Sequence, residues 1–256
     1  MNDQLLIQRN GSILELTMNR PDKKNALTLA MYNQLSDALK SADADPKVRV
    51  IFLTGAGESF TAGNDIADFI AALNQPDAVQ APLGFLQTIT TIEKPIVAAV
   101  PGAAVGIGTT MLLHCDLVFA SEQARFQLPF TRLGLVPEGG ASFLLPHLVG
   151  HRQAFELLVM GEAISAQRAQ QLGIVNEIYH HEQLLEQARH KAATLAALAP
   201  ESVRQSKAML RSYQQAELQQ VLVSEIEQFA KRLQSPEAHE ALNAFMEKRA
   251  PDFSRF

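Results

Sequence analysis

An α/β fold is predicted for this chain by three observations. Short apolar runs alternate with amphipathic helical stretches over the first two thirds, Gly-rich turns stand at several run ends, and the last quarter is helical in pattern with no strand-like run. Such an order calls for a sheet covered by helices, followed by a helical unit. At 256 residues the chain suits one large domain, or one core with a smaller attachment.

Each element has a local reason. Ile13-Leu14-Glu15-Leu16-Thr17-Met18 reads as a strand that stops at the turn residues Asn19-Arg20-Pro21-Asp22. Leu27, Met31, Leu35, Ala38 and Ala42 recur at steps of three and four, the period of an amphipathic helix, and Asp45-Pro46 ends it. Val48 to Leu53 is a buried strand closed by Thr54-Gly55-Ala56-Gly57. Helical spacing returns at Phe85, Ile89 and Ile92, and Pro95 to Val100 is a second apolar strand. A short helix is expected from Gly106, a third strand over Asp116 to Ala120, and a Gly-rich loop at Pro137-Glu138-Gly139-Gly140. Beyond Ser142 only residues 174–178 break a helical pattern, and Ser235-Pro236 is a helix start. The expected division is a core of residues 1–199 and a helical region of residues 200–256.

Composition removes several function classes. Apolar residues make up 47% and charged residues 19%, as in a globular protein. The formal charge is 22 − 27 = −5, with three tyrosines and no tryptophan, so no basic field or stacking platform for nucleic acid is expected. A single cysteine, Cys115, sits among Met111, Leu112, Leu113 and Leu117, where an inert buried thiol is expected. Asn2-Asp3-Gln4 does not open a signal peptide, and Phe253-Ser254-Arg255-Phe256 is not a peroxisomal address. The charge-free stretch from Pro95 to Cys115 is broken by Pro101, Gly102, Gly106 and Gly108, so no membrane span is expected. A cytoplasmic location follows as the expectation.

Most catalytic signatures fail on spacing. Gly55 to Phe60 and Gly106 to Met111 both lack the third glycine of a dinucleotide loop, and no Walker loop, serine elbow or metalloprotease His pair occurs. His147, His151, His180 and His181 have no ligand partners at metal-site spacing, so no metal is expected and surface positions suit them. Three Gly-rich segments remain at strand exits: Ala62-Gly63-Asn64-Asp65, Val105-Gly106-Ile107-Gly108 and Pro137-Glu138-Gly139-Gly140. Small residues let backbone N–H groups approach a ligand, and a helix starting at Gly106 directs unpaired N–H groups outward, the makings of an oxyanion hole. Taken singly, each glycine is equally well explained by a tight turn.

Several of these segments, in this order, carry a resemblance over nearly the whole chain. Residues 19–27 (Asn-Arg-Pro-Asp-Lys-Lys-Asn-Ala-Leu), Ser59 to Ile66, Gly102 to Gly108, Cys115-Asp116 and the tail from Phe245 to Phe253 resemble the crotonase superfamily, the enoyl-CoA hydratase/isomerase family. The resemblance implies a ClpP-like spiral of ββα units with a helical carboxyl-terminal region that assembles as a homotrimer or a dimer of trimers. It implies an acyl-CoA thioester substrate, with no cofactor beyond the CoA the substrate itself carries. The backbone N–H groups of Asn64 and Ile107 would form the oxyanion hole beside Gly106. Lys24, Ala26, Ala62, Gly63, Asp65 and Ile66 would line the CoA entrance, with Lys248 toward a CoA phosphate.

Departures from the family narrow the reaction. Hydratases of the family activate water with two glutamates, and Thr110 and Phe130 stand at the matching positions. Glu138, in Leu135-Val136-Pro137-Glu138-Gly139-Gly140, matches instead the proton-shuttling glutamate of the Δ3,Δ2-enoyl-CoA isomerase branch. Its apolar flanks are expected to desolvate it and raise its pKa. Phe130 is expected to keep its side of the site dry, and Phe69, Phe85 and Phe130 to shape the acyl pocket. Another crotonase activity (ring or dienoyl isomerase, or hydratase) and an inactive thioester-binding protein remain as alternatives.

Overall fold

A computed structural model describes residues 3–68 and 80–256. Strands β1 (Leu5–Asn10) and β2 (Ile13–Met18) form an antiparallel hairpin, and α1 (Leu29–Ala44) follows, its first turn capped by the Thr28 hydroxyl accepting the Met31 N–H at 3.2 Å. Then come β3 (Val50–Gly55), β4 (Ser59–Thr61) and α2 (Gln80–Thr91), and after them β5 (Ile96–Val100), β6 (Ala103–Val105) and α3 (Ile107–Thr110). The next group is β7 (Leu117–Ser121), β8 (Arg125–Gln127) and α4 (Ala141–Val149). The chain continues through α5 (His151–Phe155), β9 (Ile164–Ser165), α6 (Ala166–Gln171), β10 (Glu177–Tyr179) and α7 (Leu184–Ala196). It closes with α8 (Pro200–Ser212), α9 (Gln215–Leu233) and α10 (Pro236–Met246).

The middle of this order is a ββα repeat, as the resemblance implies. In each unit the first strand enters a six-stranded sheet of order β1-β2-β3-β5-β7-β10 and the second enters a four-stranded sheet of order β4-β6-β8-β9. From β2 onward the large sheet is parallel, which requires both faces to be covered. On β3, Val50 and Phe52 pack with Val97, Ala99 and Phe119 against Leu184, Ala188 and Ala192 of α7. The alternate residues Ile51 and Leu53 join the main core with α1 and α2. That is why residues 50–53 read as a continuous apolar run.

The helices and the central strands stand where periodicity placed them. The hairpin strand β1 went unread, as did the two- and three-residue strands of the small sheet, which are too short to show a period of two. Pro200 is the first residue of α8, and beyond it Leu218, Leu222, Phe229 and Leu233 of α9 belong to the main core. Among the described residues, no helix is long and apolar enough to cross a membrane.

Candidate active site

The segment after β4 is held from both sides. Leu27 donates its N–H to the Gly63 carbonyl at 2.8 Å and accepts the Asp65 N–H at 2.9 Å, a parallel bridge centred on Asn64. In such a bridge the middle residue turns its own N–H to the far side, so that of Asn64 points away from Leu27. Buried Tyr32 of α1 donates its hydroxyl to Asn64 Oδ1. Behind the segment, the buried Asn25 amide donates to the carbonyls of Ala56 (2.9 Å) and Ser59 (2.7 Å). Arg20 meets Asp65 at 2.9 Å; burial alone would raise the Asp65 pKa, but this guanidinium and the N–H groups of Asp68 and Ala67 hold it below the usual carboxylate value.

The second element is α3, whose first residue is Ile107. Being first, Ile107 has no intrahelical acceptor for its N–H, while Thr109 and Thr110 already donate to the Gly106 carbonyl at 2.8 and 3.0 Å. Gly106 takes φ +56°, a turn that lets the chain leave β6 and enter the helix at once. Gly108 sits so close to β4 that a Cβ there would lie 2.7 Å from the Thr61 side chain and 3.0 Å from its carbonyl oxygen. This contact keeps Ile107 near the Asn64 segment.

Glu138 closes the group from the loop before α4. It is 7% exposed, and Thr110 donates its hydroxyl to Oε1 at 2.6 Å. Burial, opposed by that hydrogen bond and helped by the charge of Glu225, pushes its pKa to about 8. Gly139 and Gly140 follow at φ +71° and +74°, two successive left-handed residues that favour glycine. Gly140 has no side chain with which to cap α4. Glu225 of α9 supplies the cap instead, accepting the Gly140 N–H at 2.6 Å and the Ser142 N–H at 2.8 Å. His114, held neutral by burial at a pKa of about 4, donates Nε2–H to the Gly139 carbonyl at 2.7 Å. The site loop is thus fixed from α3, from the turn after it and from α9.

Asn64, Asp65, Ile107 and Glu138 line one cavity together with Leu27, Tyr32 and apolar residues of α2 and α9. Ala62, Gly63 and Ile66 flank Asn64 and Asp65, Gly106 precedes Ile107, and Ala26 adjoins Leu27, giving up its carbonyl to Arg20. Lys24 is exposed at φ 49°, and Lys248 is exposed just beyond α10 at φ 55°; neither lines this cavity. Phe130 is buried in the main core at the head of the turn Thr131–Leu133, and its carbonyl accepts the Leu135 N–H at 2.8 Å. Phe85 packs behind Tyr32 at 5.6 Å between ring centres, and Phe69 lies outside the described residues. Cys115 is half-buried and donates its thiol to the Met111 carbonyl at 3.6 Å, and burial pushes its pKa up to about 12.

Two contributors escaped sequence reasoning. Nothing in the spacing of Leu27, Met31 and Leu35 marks the Tyr32 hydroxyl. Glu225 did leave a signal: it interrupts the apolar stripe Leu218, Leu222, Phe229 of α9 at helical spacing, and an acid on a buried stripe needs a partner.

This fold and this pairing of a buried acid with two backbone segments define a class of enzymes acting on acyl thioesters. Residues 8–255 match the enoyl-CoA hydratase/isomerase family. The chain is 36% identical to the 2,3-dehydroadipyl-CoA hydratase of Escherichia coli (strain K12), covering 98% of both chains. It is 35% identical to enoyl-CoA delta isomerase 2 of Rattus norvegicus, over 96% of this chain and 64% of that one. A crystal structure of an enoyl-CoA hydratase/isomerase from Pseudoalteromonas atlantica T6c superposes with a TM-score of 0.92 at 42% identity, covering 98% of this chain and all of the other. The chain belongs to the enoyl-CoA hydratase/isomerase family, the crotonase superfamily, whose activity is on CoA thioesters.

Proposed function

We propose that the protein is an enoyl-CoA isomerase that moves the double bond of a 3-enoyl-CoA to the 2-position. The observation that carries this reading is Glu138: a buried acid with a pKa of about 8, facing the same cavity as Asn64 and Ile107. The thioester oxygen accepts the N–H groups of Asn64 and Ile107. Ionised Glu138 removes a proton from the carbon next to the carbonyl, and the C–H electrons pass into a dienolate whose oxygen is held by those two donors. Glu138 then gives the same proton to the gamma carbon, leaving the 2,3 double bond conjugated with the thioester. Nothing is oxidised and no water is added, so one acid serves both ends.

Thr110 supports isomerisation over hydration. At a position where hydratases of the family carry a water-activating glutamate, its hydroxyl is instead donated to Glu138. The test is a spectrophotometric comparison of 3-enoyl- and 2-enoyl-CoA with the wild type and Glu138→Gln. Isomerisation is expected to exceed hydration by at least about 10²-fold and to fall by about 10²–10⁴ in the variant, the usual worth of a positioned acid or base. Near-normal isomerisation by Glu138→Gln would reject the assignment.

A further inference from the structure

We infer that the acyl arm of the cavity takes an uncharged hydrocarbon chain and rejects one that ends in a carboxylate. This rests on the reading that the cavity holds an acyl-CoA with its carbonyl at Asn64 and Ile107. Besides those residues the wall includes Leu83 and Leu86 of α2 and Ile226, Phe229 and Leu233 of α9. Its ionisable acids are Asp65, Asp68 and Glu138, and among the described residues no lysine, arginine or histidine lines it. Residues 69–79, outside the described set, contain no basic residue in the sequence.

The nearby cations are committed elsewhere. Arg20 is bound to Asp65 at 2.9 Å and to the Ala26 carbonyl at 2.6 Å. Arg232 is paired with Glu237 and donates to the Gly134 carbonyl at 3.2 Å. Lys231 is exposed, and on a helix it faces away from Phe229 and Leu233, which lie two residues to either side. The Tyr32 hydroxyl is already donated to Asn64. A terminal carboxylate would therefore lose its water without gaining a counter-ion, whereas a methyl end gains apolar burial.

Binding of two saturated six-carbon thioesters, hexanoyl-CoA and adipoyl-CoA, to the whole protein by calorimetry separates the cases. Hexanoyl-CoA is expected to bind about 100-fold more tightly, the scale of leaving one charge unpaired. A gap of tenfold or less would overturn the inference. Ile226→Lys, on the half-buried side of α9, is expected to narrow the gap at least tenfold by supplying the missing cation; an unchanged gap would overturn the cause assigned to it. Saturated thioesters do not isomerise, so this result is independent of Glu138 chemistry. Failure of the isomerase reading would show separately, as turnover of 3-hexenoyl-CoA that survives Glu138→Gln.

Discussion

Glu138 is set by its burial and by two neighbours, Thr110 and Glu225, that act in different directions. Burial raises its pKa most, the Thr110 hydroxyl lowers it, and the Glu225 charge raises it, with the balance at about 8. A base must be ionised to start the reaction, and at pH 7 only about one molecule in ten is. Isomerase kcat/KM is therefore expected to rise nearly tenfold per pH unit between about 6 and 7.5 and to level off above 8. Thr110→Val removes the one neighbour that favours the charged form, so the rising limb should move to higher pH, with kcat/KM at pH 7 reduced; an unmoved limb would mean that Thr110 does not touch the titrating group. The same shift has a consequence for stability. Folding favours protonated Glu138, a contribution present in full below its unfolded value near 4.5 and lost as pH rises through 8. Glu138→Gln, which cannot ionise, should have a higher melting temperature than the wild type at pH 9, with the difference shrinking toward pH 5.

Between elements, the site depends on α9 reaching back to α4. Glu225 replaces the capping side chain that Gly140 lacks, so Glu225→Ala leaves two N–H groups at the head of α4 without their charged acceptor. The expected loss is about 1.5–3 kcal/mol in a denaturant titration, the worth of a hydrogen bond to a charged group. Glu225→Gln, whose one carbonyl oxygen can accept only one of the two N–H groups, should recover part of that stability while moving the kcat/KM limb to lower pH, because it removes a negative charge that raises Glu138. These contacts also show what the sequence alone can convey. The spacing in α1 and α2, the apolar runs of β3 and β5 and the Gly-rich ends beside Asn64, Ile107 and Glu138 are local patterns, and each was legible. What joins them is not local: the Tyr32 hydroxyl on Asn64, His114 under Gly139 and Glu225 over Gly140 link residues 32, 25 and 85 positions apart. The turn at Thr131–Leu133, beside which Phe130 joins the core, is likewise not marked by any local pattern.

At the scale of the whole molecule, the ββα units stack two sheets so that β4, β6 and β8 lie side by side. This arrangement delivers the segment after β4 and the helix after β6 to one cavity, with the loop after β8 closing it. Gly63 and Gly108 mark how tightly the first two units meet, since a Cβ on Gly63 would stand 2.8 Å from the Val105 carbonyl oxygen. Transfer of label within the substrate tests the single-acid shuttle most directly. A 3-enoyl-CoA deuterated at the carbon next to the carbonyl is converted in ordinary water, and early product is analysed by mass spectrometry and NMR. With Glu138 buried from solvent, deuterium is expected at the gamma carbon of a substantial share of the product, and Glu138→Gln should abolish its formation. Product bearing only solvent hydrogen at the gamma carbon, formed equally well by Glu138→Gln, would contradict a shuttle by one buried acid.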